Sequence, residues 1–177
     1  MQNKLPNNEQ YDPAEDTFFL DDHIKNEKGQ YALDIGSGSG YLTRELEKSF
    51  SLVIGTDINY SVLQNQTYKT GNIICCNGAD ALNLKFDLIV CNLPYLATDE
   101  ILDVATDGGT EGLEIPLKII KSAIPCLSDS GKFLFITSSL SNYEKLIHQT
   151  KNLGLNTKIL GKKKLFFEEL IVVEARK

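Results

Sequence analysis

Tyr31-Ala32-Leu33-Asp34-Ile35-Gly36-Ser37-Gly38-Ser39-Gly40 is an apolar run that breaks into glycines at alternate positions. It reads as a strand, Tyr31 to Ile35, running into a turn whose backbone can approach a ligand closely. An amphipathic stretch from Tyr41 to about Phe50 reads as the next helix. Strand, glycine turn and helix open a doubly wound α/β sheet, in which ligands bind beyond the carboxyl ends of the strands. The spacing is not the dinucleotide fingerprint Gly-x-Gly-x-x-Gly, whose third glycine would fall on Tyr41.

Downstream, the pattern repeats. A second strand, Leu52 to Thr56, ends at Asp57. An acid about 20 residues after the glycine turn can accept both hydroxyls of a ribose; the plainer reading is an N-cap of a helix from Ser61 to Tyr68, and the two roles are compatible. A third strand, Asn72 to Cys76, leads to Asp80, placed either to accept from an adenine amine or simply to sit in a turn. A fourth strand, Phe86 to Cys91, runs into Asn92-Leu93-Pro94-Tyr95. Pro94 pushes Leu93 toward an extended conformation, leaving the Leu93 carbonyl and the Asn92 side-chain oxygen as two acceptors for one NH2 group, with the Tyr95 ring as a platform. In isolation, that tetrapeptide could equally be a strand ended by a loop.

The segment from Ala97 to about Leu113 is polar and glycine-rich and is expected to be irregular. A helix from about Pro116 to Cys126, a strand from Lys132 to Thr137 and a helix from about Asn142 to Leu153 follow. The last two strands are expected at Asn156–Leu160 and Glu169–Glu174. Lys162-Lys163-Lys164 between them reads as a solvated turn, or as a contact to an acidic partner or RNA. Upstream, Tyr11-Asp12-Pro13-Ala14-Glu15-Asp16-Thr17 reads as a helix start with Asp12 as N-cap and Pro13 at the first position, the helix ending near Lys28-Gly29. Tyr11 and Thr17 would fold over a ligand. Residues 1–10 are expected to form a flexible tail and residues 11–177 a single domain.

Composition narrows the class. The chain has 177 residues, 42% hydrophobic and 24% charged, and a net charge of −6. That acidity disfavours duplex nucleic acid as the direct partner. No apolar run is long enough to span a membrane, and the polar start carries no signal-peptide pattern, so no membrane association is expected. Cys75, Cys76, Cys91 and Cys126 form no Cys-x-x-Cys spacing. They read as reduced core thiols of a cytoplasmic protein, with a nuclear pool compatible, and no metal site is expected.

The glycine turn preceded by Asp34 resembles motif I of class I S-adenosylmethionine (SAM) methyltransferases. The segments Tyr11–Thr17, Asn92–Tyr95 and Asp107-Gly108-Gly109-Thr110-Glu111-Gly112-Leu113 together resemble the HemK-like glutamine methyltransferases, best of all their short eukaryotic and archaeal branch. That resemblance covers almost the whole chain from Tyr11. It implies a Rossmann-like α/β fold with a seven-stranded, mostly parallel sheet and helices on both faces. It implies SAM as cofactor and S-adenosylhomocysteine as product. The cofactor-binding residues it implies are Tyr11, Thr17, Asp34, Gly36, Ser37, Gly38, Gly40, Asp57, Ile58, Asp80, Ala81 and Asn92; the catalytic ones are Asn92, Leu93, Pro94 and Tyr95. The implied substrate is the glutamine of the Gly-Gly-Gln motif of a class 1 translation release factor. Bacterial members of the family resemble this domain plus an N-terminal substrate domain, for which this chain has no room. The implied partner is a small zinc-binding activator subunit, covering the apolar edge strand Asn72–Cys76 by strand addition. Leu93 departs from the commoner Asn-Pro-Pro-Tyr, but the family's hydrogen bond there uses a backbone carbonyl, which Leu supplies. Competing readings are a methyltransferase for adenine N6 or guanine N2 of nucleic acid, a protein lysine methyltransferase, and a scaffold without catalysis.

Overall fold

The structure, a computed structural model, describes residues 12–177, so the expected tail and Tyr11 lie outside the described residues. Helix α1 (Glu15–Ile24) precedes β1 (Gly29–Ile35), and α2 (Tyr41–Leu46) connects it to β2 (Phe50–Asp57). Helix α3 (Tyr60–Gln64) leads to β3 (Ile73–Cys75), and β4 (Phe86–Asn92) follows. Short strands β5 (Leu96–Ala97) and β6 (Asp107–Gly109) come next, then α4 (Glu114–Ala123), β7 (Leu127–Ser138), α5 (Tyr143–Asn152), β8 (Asn156–Lys164) and β9 (Glu169–Arg176).

Seven of the strands form one sheet in the order β3-β2-β1-β4-β7-β9-β8. The first five run parallel, while β9 is antiparallel to both β7 and β8. Period-two alternation builds a core on each face. Ile89 and Cys91 of β4, with Phe133 and Phe135 of β7, pack under α4 and α5 beside Ile120 and Leu146. Leu88, Val90, Leu134 and Ile136 point the other way, onto Leu20 and Ile24 of α1 and Leu42 and Leu46 of α2. Burying each such aliphatic side chain contributes about 1.5–3 kcal/mol. The strands are therefore apolar on both sides, as the continuous apolar runs require.

Several boundaries differ from the sequence expectations, for reasons the contacts show. Helix α1 begins at Glu15 with Ala14, not Asp12, at the cap. The Asp16 carboxylate accepts from the Thr17 N–H at 2.6 Å and so satisfies a first-turn donor from inside the helix. The helix stops at Ile24, and Gly29 belongs to β1, opposite Phe50 of β2. That same pairing ends α2 early, because Phe50 is needed in the sheet. Helix α3 ends at Gln64; Tyr68 has left it to donate its N–H to Ser39 O at 2.8 Å. Its cap is Asn59, which accepts from Ser61 and Val62, not Asp57. The segment 97–113 is not wholly irregular: β5 and β6 pair parallel, and a 3-10 turn spans Thr110–Gly112. Lys162-Lys163-Lys164 are not in a turn but inside β8, paired with Ile171, Leu170 and Glu169 of β9.

Candidate active site

The carboxyl ends of β1, β2 and β4 meet around one cavity. The turn after β1 is anchored from beneath: Gly36 and Ser37 both donate N–H bonds of 2.8 Å to the Thr56 carbonyl of β2. Gly36 has φ +73° and Gly38 φ +48°, the left-handed region that glycine adopts without strain. A Cβ at Gly36 would meet no heavy atom within 4 Å, so the turn presents bare backbone to open space.

Asp57, at the end of β2, accepts from Gly38 N–H through Oδ2 (3.1 Å) and from Asn59 N–H through Oδ1 (2.8 Å). Burial pushes its carboxyl above the usual range, and the backbone donors oppose that shift. Each oxygen keeps lone-pair capacity toward the cavity, which suits a diol. Asp34 lies deeper, outside the cavity lining. Its Oδ2 accepts from Thr43 Oγ1 at 2.6 Å, and its Oδ1 has no partner among the described residues. Burial pushes its pKa up to about 6, against the Thr43 hydrogen bonds.

Asn92 ends β4 in the cavity wall, beside Pro94 and Cys91. Its Oδ1 is buried and makes no hydrogen bond among the described residues. An unpaired buried acceptor costs about 1–3 kcal/mol and asks for a donor. Cys91 offers no nucleophile, since burial and then the charges of Asp34 and Asp57 hold its thiol well above the usual range. Leu93 is buried and donates its N–H to Ile136 O of β7 (3.3 Å). Tyr95 is tethered to α1, its hydroxyl donating to Asp16 Oδ2 at 3.3 Å. The chain at Gly112 passes so close that an added Cβ would stand 2.2 Å from the Tyr95 carbonyl oxygen.

Of the residues singled out in the sequence, Thr17, Gly36, Ser37, Gly38, Asp57, Ile58, Asn92 and Pro94 line this cavity together. Asp34, Leu93 and Tyr95 support it from behind. Gly40 caps α2 and packs on the Tyr68 carbonyl instead. Asp80 and Ala81 are exposed and lie outside the lining. The chain turns earlier, at Asn77-Gly78, and those two residues take the place expected for Asp80. Gly78 has φ +56°, and its carbonyl accepts from Thr56 Oγ1 at 2.8 Å. The dipeptide Asn-Gly was a legible turn signal. A further unforeseen wall is made by Ile101, Asp103, Val104 and Ala105. Asp107 holds this loop in place, accepting from Leu102 and Asp103 N–H groups at 2.9 Å each.

A glycine floor open to a ligand, an acid at the end of β2 and an orphaned acceptor at the end of β4 fit the chemistry of SAM, which carries an amino acid, a ribose diol and a transferable methyl group. The family model of the methyltransferase small domain matches residues 8–166. A Methanocaldococcus jannaschii protein, provisionally named a protein N5-glutamine methyltransferase, is 34% identical over 94% of this chain and 91% of its own. Methyltransferase HEMK2 of Mus musculus is 30% identical over 82% of this chain and 79% of its own. A solved structure of the Mtq2–Trm112 complex of E. cuniculi, described as responsible for methylating the termination factor eRF1, shares the fold: TM-score 0.80, 24% identity, 95% of this chain and 98% of that one.

Proposed function

The chain belongs to the methyltransferase small domain family, and from that premise we propose that it methylates the side-chain nitrogen of the glutamine in the Gly-Gly-Gln motif of a class 1 release factor. The observation that carries this reading is the buried, unpaired Asn92 Oδ1 in the same cavity as Gly36, Gly38 and Asp57. The relatives' names support it.

SAM would supply an electrophilic methyl group on a sulfonium. The protein's own task is to hold a poor nucleophile in line with it. An amide nitrogen shares its lone pair with its carbonyl. Asn92 Oδ1 and the Leu93 carbonyl would accept its two N–H bonds and favour a nitrogen with more lone-pair character. Such orientation supplies up to about 7–11 kcal/mol in ideal cases. The amide would give up one proton to solvent on gaining the methyl group, the sulfonium sulfur keeping the bonding pair. Tyr95, fixed by Asp16, would pack its ring against the flat amide. Asp57 would hold the ribose and the Gly36–Gly38 backbone would face the methionine portion.

The chain would work with a small activator subunit. Among the described residues strand β3 is an open edge of the sheet, with Ile73 and Cys75 exposed. Ile58 lies beside them, its carbonyl 3.6 Å from Cys75 Sγ, so the edge is apolar as well as unpaired. Such edges need cover, and a strand added there would give it. A zinc-binding fold for that subunit belongs to the same proposal. The four unpaired cysteines fit a reducing compartment such as the cytoplasm.

The test is methyl transfer from radiolabelled SAM, with the activator co-expressed, to a release factor and to its Gln→Ala variant in the Gly-Gly-Gln motif. Label on the wild-type factor alone is expected. Label on both factors, or on RNA instead, overturns the assignment.

A further inference from the structure

The turn between β8 and β9 carries the two most exposed large apolar side chains among the described residues, Phe166 at 90% and Phe167 at 85%. Their rings are paired edge to face, centroids 4.6 Å apart. Single exposed apolar side chains are ordinary, but two adjacent aromatics held out on a firm support form a contact surface. The support is firm. Leu165 donates its N–H to the Glu168 carbonyl at 2.8 Å, closing the turn. The Glu168 carboxylate accepts from the Ser138 hydroxyl at the end of β7. Ser139 and Glu169 are joined by two further bonds of 2.9 Å.

The position of this tip follows from topology. Strand β9 runs antiparallel to β7, so its first residues stand at the carboxyl end of the parallel strands, where the cavity opens. A short chain of contacts connects tip and site. Tyr95 bonds to Asp16; the neighbouring Glu15 pairs with Lys163; Leu165 packs in the same apolar cluster as Tyr95. Lys162 is paired with Glu169, whereas Lys164 is exposed and has no ion pair among the described residues.

Resting on the function proposed above, we infer that Phe166, Phe167 and Lys164 are the docking contact for the protein that presents the glutamine. A glutamine in a loop reaches Asn92 only if the body of its protein lies against the rim of the cavity. The same end of the sheet offers an aromatic pair held on a bonded turn and a lysine, Lys164, with no ion pair among the described residues. The matching surface on the substrate protein is an apolar cleft with an acidic side chain at its edge. Aromatic anchors of this kind carry a large share of binding at protein interfaces. They add affinity for the folded substrate and nothing for a short peptide that fills only the cavity.

The experiment compares the wild-type complex with Phe166→Ser/Phe167→Ser and, separately, Lys164→Glu, on an intact release factor and on a short Gly-Gly-Gln peptide cut from it. SAM affinity is measured by calorimetry and mass by light scattering. For the double variant, kcat/KM on the intact factor is expected to fall about 10- to 100-fold, through KM. Its kcat/KM on the peptide and its SAM affinity stay unchanged. Lys164→Glu is expected to show a smaller loss on the intact factor alone, fading as salt rises. Equal losses on factor and peptide, or no loss on the factor with either variant, overturn the docking role. So does a wild-type dimer that the double variant breaks, because a second copy then covers the tip. A wild-type complex that labels neither factor nor peptide refutes the proposed function itself, and the docking proposal with it.

Discussion

Replacing Asn92 by alanine should separate two quantities that usually fall together when an active site is damaged. Asn92 Oδ1 is buried without a hydrogen-bond donor among the described residues. Such an atom costs the folded state about 1–3 kcal/mol. Truncation to Ala removes that cost and gives up roughly 1 kcal/mol of packing. The net change for the ligand-free protein is a gain of about 0–2 kcal/mol. For a chain of this size, each kcal/mol moves Tm by about 2–4 °C. Catalysis should move the other way. One preorganised group aimed at the reacting atoms is worth about 10²–10³ in kcat. Thermal unfolding of the ligand-free protein and single-turnover methyl transfer by the activated complex read the two effects separately. Leu93→Ala is the control, a buried apolar truncation expected to cost about 2–5 kcal/mol. A Tm lowered by several degrees in Asn92→Ala would show that Oδ1 has a donor after all. A kcat within about threefold of wild type would show that it does not face the reacting nitrogen.

Three further outcomes follow from the geometry. Gly36→Ala has room for its Cβ in the ligand-free protein but keeps φ +73°, so stability should fall by only about 1–2 kcal/mol. SAM affinity should fall at least tenfold, about 1.4 kcal/mol, because the methyl enters the ligand's space; calorimetry giving equal affinity would contradict the placement. Gly112→Ala puts a Cβ 2.2 Å from the Tyr95 backbone carbonyl oxygen and 2.6 Å from the Ser141 side chain at Cβ, at φ +68°. It should cost about 3 kcal/mol or more in urea unfolding and lower kcat by moving Tyr95, and an unchanged midpoint would refute the close approach. Asp34 has a folded pKa of about 6 against an ordinary 3.8, so between these values the native state binds more protons than the unfolded one. Its contribution to stability therefore falls as pH rises from about 4 to 6, by about 3 kcal/mol in all, and is flat above. The stability difference between wild type and Asp34→Asn should change by up to that amount across this window; a constant difference from pH 4 to 7 would argue against a desolvated Asp34.

The parts of the site legible in the sequence are those where one residue dictates its own backbone. Glycines at 36 and 38 announce a left-handed turn, Pro94 ends a strand, and an acid after β2 falls at a fixed spacing. Those three features brought Gly36, Asp57 and Asn92 to one cavity, as read. What escaped depends on which of several nearby partners the folded chain selects. Asp12 and Asp16 both flank the helix start, and composition does not say that Asp16 would serve the first turn of α1. Lys162-Lys163-Lys164 have turn-like composition, yet pairing with Glu169, Leu170 and Ile171 of β9 holds them in a strand. Ile101 and Val104 lie in a segment without period, and hydrogen bonds such as those of the Asp107 carboxylate to Leu102 and Asp103 turn it into a cavity wall. Asp80 was misplaced by a turn that closes two residues sooner.

The position of β9 between β7 and β8 also bears on how the chain folds. Its residues Leu170 to Val173 are fully buried, and β8 joins the sheet through β9 alone. The two strands are joined by a tight turn and can zip together within microseconds, whereas each parallel pairing must wait for a helical crossover. The hairpin can therefore form early and dock late, as one body. Until it docks, the open side of β7 is a sticky edge exposed to any other extended chain. Disabling the turn at 165–168 should slow the final folding phase and raise aggregation during refolding, while the parallel half of the sheet assembles at its usual rate.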